Sequence, residues 1–585
     1  MTRNFIIFSA LLFTLFFTPL QAQVSLVPAK HQVYEWLHMQ RVKGNLNQYS
    51  YESLPLTRKQ ILSELYELEE KSEKLSGIDQ QLLKWYIQEF SPEQLRKDKE
   101  DTYLQGWDDT IKSSIKRKAN LFLSNREPHL FVIHNDSIQW TVDYMFSGGR
   151  LFVRDDSEDL NKVNALSYKA LRTYGTVFGV LGGHLEVFNP SVGSEGLLRY
   201  HPEWGQTFDG RRPNTLSTLY AEAYATIQYK NLGLHVGNGD LKYGTRGSEA
   251  MILRQDAGNF DWIRFNFDTK YLQYTFIHGA LKAPTVNVEV EGFPGVFSRI
   301  SPDRWFALRR IQITPAPWIS MAFTESLIYS NRPIELSYLN PLLPLRFGEY
   351  ETNDKDNPIW FFDGTLRPIR NLELYATIGI DDLLKWSDIF KPTGKRASED
   401  GVVSYQAGFQ LSLPTATIIN AEASIIDPYF YAHWQRFNAY DEFGSPLGPE
   451  RGPNSREFFV SVRQWLPWRT YIDVALGKVK KGMNLVDANG NLIEDVGGDI
   501  FEGQNGGTDT VRLFAGDIHE WYQVDVKLEF EPIRGIQFFG AYSQRIMQTG
   551  QQLPDLNYLH AGVEFNFYPG ALFGLAKIPY VNVLF

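Results

Sequence analysis

From Tyr522 to Phe530 every second residue is apolar (Tyr522, Val524, Val526, Leu528, Phe530), and between them stand Gln523, Asp525, Lys527 and Glu529. Successive side chains on a strand point to opposite faces, so this stretch predicts a strand with one apolar and one charged surface. Glu531-Pro532-Ile533-Arg534-Gly535 then reverses the chain: proline cannot continue a ladder, and glycine accepts the positive φ of a tight turn. Ile536, Phe538 and Tyr542 resume the apolar face on the way back. A fold that accepts charge all along one strand face cannot bury that face in a dry core.

The pattern recurs. After Pro128 the chain reads as one strand (Ile138–Ser147), eight hairpins with short turns, and a closing strand (Tyr558–Phe567), about 18 strands in all. The turns include Lys230-Asn231, Thr269-Lys270, Pro368, Pro414-Thr415, Pro467 and Pro532. They alternate with long excursions such as Asn331–Pro358, Asp427–Glu457 and Lys480–Glu520. Arms of about 8–14 residues suit a tilted membrane-crossing strand, and short turns on one side with long loops on the other mark an outer-membrane barrel. The Gly562-Val563-Glu564-Phe565-Asn566-Phe567 segment has the form of a barrel-closing strand, of the kind read by the barrel insertion machinery, which leaves 568–585 as a tail at the periplasmic mouth or in the lumen; the alternative is a hairpin turn at Pro569-Gly570 with Leu572–Phe585 as a further strand and an odd count.

The amino terminus supports export. Arg3 precedes an apolar run from Asn4 to Phe17, and Leu20-Gln21-Ala22 offers a cleavage site, so 1–22 reads as a signal peptide. No cysteine occurs in 585 residues, which excludes disulfides, thiolate metal sites and a lipidated cysteine. Aromatics reach 14 %, mean hydropathy is −0.30, and no later stretch approaches the ~20 apolar residues of a membrane helix. A net charge of −10 argues against a nucleic-acid partner. Residues 23–127 lack the two-residue alternation of the strands and predict a small helical periplasmic module, with a periplasmic partner as one use for it. Val33, Trp36, Leu37 and Gln40 keep helical spacing, Thr57-Arg58-Lys59-Gln60 forms a capping box, Ser76–Phe90 is a further helix, and Ser91-Pro92-Glu93 opens another. The expectation is a mainly β chain: module, transmembrane antiparallel barrel over 128–567, tail, with outer-membrane lipid around it.

Catalytic signatures are thin. Gly-x-Ser-x-Gly, His-Glu-x-x-His and phosphate-binding glycine loops do not occur, and the eleven histidines are scattered. Asp487-Ala488-Asn489-Gly490-Asn491 resembles the start of a calcium loop, but its twelfth position is Gly498, so it reads as a hairpin tip. No enzyme, cofactor or metal is expected. The loops are more informative. Asp427–Tyr440 carries Tyr429, Tyr431, Trp434 and Tyr440 beside Arg436, a mixture suited to sugars: aromatic faces stack on C–H faces while polar groups bond hydroxyls. An interfacial aromatic girdle, or a loop folded into the lumen on its own small core, has the same composition. Asp382 with Trp386, and Trp204 with Arg211, form two further candidate glycan contacts.

Several segments carry a family likeness. Leu54-Pro55-Leu56-Thr57-Arg58 before a helix, Leu75-Ser76 before Leu82–Phe90, Gly237–Gly244 followed by Ile252-Leu253-Arg254, and Leu339-Asn340-Pro341-Leu342 followed by Asp354–Asn357 resemble elements of the Wzi-type capsule assembly proteins, in particular members from Bacteroides-like bacteria. The 568–585 tail and Tyr243-Gly244, in place of tryptophan-glycine, depart from that pattern. The resemblance implies an outer-membrane barrel that attaches surface polysaccharide. A porin for sugars or other small solutes is the alternative, and a barrel enzyme a weaker third.

Overall fold

The computed structural model describes residues 23–91 except 48–49, and 129–565 except 130, 136, 156–159, 193–219, 246–249, 256, 284–285, 290–296, 352–354, 382–395, 398–401, 488–490, 503–509, 534 and 550–555. The signal peptide, the expected helix beyond Ser91 and the tail lie outside the described residues.

Eighteen antiparallel strands close into a barrel. The first nine are β1 Ile138–Asp155, β2 Leu160–Val177, β3 Leu181–Val192, β4 Tyr220–Tyr229, β5 Leu232–Asn238, β6 Asp261–Asp268, β7 Leu272–Leu281, β8 Arg304–Ala316 and β9 Ile319–Ser330. The remainder are β10 Asn357–Ile369, β11 Leu372–Asp381, β12 Val402–Leu413, β13 Thr417–Ile426, β14 Ser455–Leu466, β15 Thr470–Met483, β16 Asp517–Ile533, β17 Ile536–Thr549 and β18 Leu556–Phe565. Each pairs with its sequence neighbour, and β18 closes the ring on β1, from Phe565 opposite Phe146 to Leu556 opposite Asp155.

The wall is inside out relative to a soluble protein. On β16, Asp525, Lys527 and Glu529 are buried, whereas Tyr522 and Leu528 are exposed, as is Phe538 on β17. Charge therefore faces the lumen and apolar side chains form the outer belt, the arrangement a bilayer demands. The turn after β16 is as expected: Gly535 has φ +85° and its N–H is accepted by Glu531 Oε1 at 2.7 Å. One strand pair exceeds expectation. β1 and β2 continue well beyond Ser147, through Gly148-Gly149, where two glycines read as a strand end. The closure seam explains them: Gly149 faces Gly562, and a Cβ on Gly149 would stand 2.6 Å from Ala561 O.

Among the described residues, three α-helices precede the barrel: α1 Val33–Val42, α2 Arg58–Glu69 and α3 Gly77–Phe90. The capping box is formed, with Thr57 Oγ1 accepting from Gln60 N and Gln60 Oε1 accepting from Thr57 N. Ser76 caps α3 at Asp79 N. Trp36, Leu37, Ile61, Leu65, Leu82 and Tyr86 make a core that continues into the wall through Ala416, Ile418, Trp465 and Tyr471. Those wall residues lie near the short turns, so the helices cap that end of the barrel. Polar contacts fasten them: Asn371 N–H donates to Val42 O at 2.9 Å, Arg264 Nη1 to Pro55 O at 3.0 Å, and His38 meets Glu373 at 2.9 Å.

Glu64 on α2 gives this region a pH signature. Burial first, and then the charge of Glu67, push its carboxyl up to about 8. The folded pKa thus exceeds the unfolded one, so the fold holds an extra proton between pH ~4.5 and ~8 and loses stability as pH rises through that window. Glu64→Gln should match the parent near pH 4 and exceed it at pH 9 by about 1–2 kcal/mol, the carboxyl being partly exposed. Denaturant unfolding across pH checks this; an equal gap at both ends would rule it out.

Candidate functional site

The lumen is filled from both ends, and the filling decides which loop residues are available. Between β5 and β6 the chain turns inward, and Lys242-Tyr243 pairs with Ser53-Leu54 of the helical region. Tyr243 bridges to Leu253, and Arg254 N–H donates to Leu447 O at 2.8 Å. Residues 241–245 and 250–254 thus join the helices to the 427–454 loop, which folds back into the opposite mouth.

That loop is anchored by buried polar groups. Arg304 donates to Phe437 O at 2.6 Å, Ala439 O at 2.7 Å and Asp441 Oδ1 at 2.7 Å. Asn357 Nδ2 donates to Asn438 O at 2.8 Å, and Asp381 Oδ2 accepts Tyr431 N–H at 3.0 Å. Irregular backbone inside a barrel needs such partners, because buried carbonyls and amides without them cost stability.

Two of the expected sugar platforms are therefore core. Tyr431 and Tyr440 are 0 % exposed, stack at 5.3 Å, and donate their hydroxyls to Met251 O and Ile252 O, both at 2.7 Å. They pack with Phe306, Phe361 and Phe430 in one aromatic cluster, so neither presents a face to a ligand. Both were expected as glycan contacts; the structure places them in the lumen core, on a loop folded inward. Tyr429 is also buried, its hydroxyl donating to Asp495 O at 3.1 Å; burial and Asp495 push that hydroxyl above its ordinary range. Trp434 and Arg436 differ: both are exposed, Trp434 with more than half its surface free. Asp382, Trp386, Trp204 and Arg211 lie outside the described residues.

A pocket of about 330 Å³ opens beside Trp434. Its walls include Trp434, His433 and Tyr429 from the 427–454 loop, Asp381 from the end of β11, and Arg346 and Glu349 from the excursion between β9 and β10. The Trp434 and His433 rings lie 5.4 Å apart. Arg346 and Glu349 form an ion pair at 2.5 Å, which fixes one wall. An indole face flanked by carboxylates, a guanidinium and an imidazole offers stacking on one side and hydrogen bonds on the other, in a volume at the small end of ligand sites. Sequence reasoning reached Trp434 and Tyr429, with His433 in the same loop, but missed Arg346 and Glu349 as pocket walls. These two come from a different excursion, and no local signal linked them. A second cavity, about 90 Å³, lies within the lumen between Glu35, His38, Tyr51, Glu373 and Arg463. It has room for a few waters and not for a sugar. Glu35 is held below its ordinary range by Arg463 and the Tyr51 hydroxyl, against its burial.

The sequence matches no family model and no curated protein. Among solved structures, the chain is similar to Wzi, described as an outer membrane protein involved in group 1 capsule assembly in Escherichia coli and a carbohydrate-binding β-barrel. The TM-score is 0.54 at 12 % identity, covering 94 % of this chain and 100 % of that one. Pseudomonas aeruginosa OccD3 and OccK8 align over 73 % of this chain with TM-scores of 0.39 and 0.41 at 10 % identity. At these identities the likeness to Wzi establishes a shared fold: an 18-strand barrel of outer-membrane type, led by helices and nearly co-extensive with this chain.

Proposed function

We propose that this chain is a Wzi-like outer-membrane barrel that binds surface polysaccharide at its loop-side mouth, as a non-catalytic attachment protein in capsule or exopolysaccharide assembly. The carrying observation is the rim pocket, where Trp434 stands exposed beside Arg346, Glu349, Asp381 and His433 while its neighbours Tyr431 and Tyr440 are locked as scaffold. An exposed indole costs solubility and is retained where a flat apolar partner such as a sugar face covers it. Arg436, Tyr429 and the outer-loop residues Asp382, Trp386, Trp204 and Arg211 remain proposed contacts of a chain longer than one sugar. The fold shared with a carbohydrate-binding barrel supports the same reading. In this reading the barrel insertion machinery assembles the wall, and the helices at the short-turn end are where a periplasmic partner would meet it.

Trp434→Ala should weaken retention of the cell's own surface polysaccharide by the purified barrel about tenfold, the loss of one central aromatic contact. Trp468→Ala is the control: Trp468 is as exposed but sits in a short turn at the opposite end. Binding unchanged in both variants would overturn the proposal.

A further inference from the structure

The excursion between β9 and β10 does something the other described loops do not. After Ser330 it forms α4, Leu336–Leu339, and α5, Leu345–Glu351, and it lies down along the outside of the barrel wall. Alternation shows which face is covered. Arg310, Gln312, Thr324 and Asp363 point into the lumen, so Arg309, Glu325, Ala307, Leu327 and Tyr329 point outward. Yet these outward residues are buried, as are Phe276 and His278 on β7.

Register fixes the depth of the covered patch. Phe276 stands opposite both Arg309 and Phe265, and Phe265 opposite Leu234; His278 stands opposite both Ala307 and Ile263, and Ile263 opposite Val236. Leu234, Val236 and Ile263 are exposed members of the apolar belt. The belt ends one step higher, where Asn238 hydrogen-bonds Asp261. Each two-residue step climbs roughly 5 Å along the membrane normal at a tilt near 40°. Crossing tilted strands shifts register partners by about 3 Å each, so the covered patch lies within about two such steps of the exposed belt, next to wall that faces lipid directly.

Two independent features match immersion. Residues 336–345, LSYLNPLLPL, contain no charge, and Ile334, Leu336, Leu342, Phe347 and Tyr350 are exposed on the outer side of the segment. Leu336 and Leu342 are 79 % and 86 % exposed, a large unfavourable apolar surface in water. Conversely, the backbone of the segment finds its partners on the wall. Arg309 Nη2 donates to Asn340 O at 2.6 Å, the Tyr274 hydroxyl donates to Pro341 O, and Glu325 Oε2 accepts Leu345 N–H at 3.1 Å. Asn340 Oδ1 accepts Leu342 N–H at 3.0 Å. Non-helical backbone survives in hydrocarbon only when protein groups satisfy it, and these otherwise costly outward polar side chains do so.

We propose that residues 331–351 form a lipid-seated flap whose outer surface, centred on Leu336, Leu342 and Phe347, is immersed in the acyl chains of the membrane leaflet on the loop side. The occupant is lipid because the patch continues the lipid-facing belt of β5 and β6. The inference does not depend on what the rim pocket binds. It does give that pocket a fixed floor, since Arg346 and Glu349 project from α5 while Phe347 and Tyr350 face the bilayer.

The chain has no cysteine, so single cysteines can carry an environment-sensitive fluorophore in the full-length protein in lipid nanodiscs. Labels at Leu342→Cys and Phe347→Cys should be quenched by doxyl lipid as strongly as one at Leu234→Cys on the belt, and should lose the iodide quenching shown by Val486→Cys on the outer hairpin. Heat-modifiable gel migration confirms that each variant is folded. In Arg309→Met, which removes the donor to Asn340 O, the Leu342 label should shift toward water. Iodide quenching of Leu342 and Phe347 equal to Val486 would overturn the flap, and disulfide cross-linking of two Leu342→Cys chains would assign the patch to a second copy instead.

Discussion

Asp363→Ala is expected to destabilise the folded barrel by about 3–5 kcal/mol, the cost of leaving a buried charge without its partner. Arg310 on β8 reaches past β9 to Asp363 on β10, with Nη1 and Nη2 at 2.6 and 2.7 Å from the two carboxylate oxygens, and a third bond to Thr324 Oγ1 at 3.0 Å. Arg310 is 1 % and Asp363 6 % exposed, with Glu52 of the helical region and Tyr243 close by in the lumen. The forked geometry pairs both carboxylate oxygens and both terminal guanidinium nitrogens, leaving Arg310 Nε buried without a partner. Removing the carboxylate strands a guanidinium whose solvent has already been displaced. Adding Arg310→Leu should recover most of the loss, since a buried pair replaced whole by apolar groups costs little. Denaturant unfolding in lipid, followed by tryptophan fluorescence, measures both. As a contrast, Glu520→Ala breaks an outward pair with the exposed Lys478 and should barely change the midpoint. A drop for Asp363→Ala no greater than for Glu520→Ala would mean that the lumen around Arg310 is wet.

Arg310 and its neighbour Arg309 show what could be read from sequence and what could not. Strand positions were legible wherever alternation was strict: β16 and β17 are joined by a tight turn directly after Pro532, and the barrel closes with eighteen strands. Arg309-Arg310 breaks the alternation, and each arginine has its own physical reason. One faces Asp363 in the lumen; the other faces outward and needs the flap above it. A charged residue on the lipid side of a strand is a legible anomaly, but its partner, Asn340 O, is a backbone atom with no sequence signature. The glycan candidates divide for a different reason. Tyr431, Trp434 and Tyr440 belong to one aromatic stretch, and composition treats them alike. Their fates diverge because the carbonyls of Met251 and Ile252, nearly two hundred residues earlier, accept two of the three side chains in the lumen. Such long-range pairing is invisible to local spacing. Arg346 and Glu349 were missed for the same reason, since their pocket is completed by a loop some ninety residues away.

Eighteen strands can enclose an aqueous channel, so whether this barrel conducts rests on its contents. The purified wild-type chain should give no sustained ionic current in planar bilayers. Two seals in series close it: the helical region 23–91 at the short-turn end, tied in by Asn371, Arg264 and Glu373, and the 427–454 loop at the other, tied in by Arg304, Asn357 and Asp381. Series closure makes a specific pattern. Deleting 23–91 alone should leave the current near zero, because the loop remains bonded to the wall independently of the helices. Replacing 427–454 with a short glycine-serine linker alone should also leave it near zero. Only the combination should open a channel, since residues 241–245 and 250–254 then lose their main anchors at both ends, Ser53-Leu54 and Leu447. Current through the helix deletion alone would show that the loop is a lid and not a seal. Current through the wild type would favour the solute channel over polysaccharide attachment, because a mouth that passes ions freely has no need of the buried tyrosine scaffold that holds Trp434 at the rim.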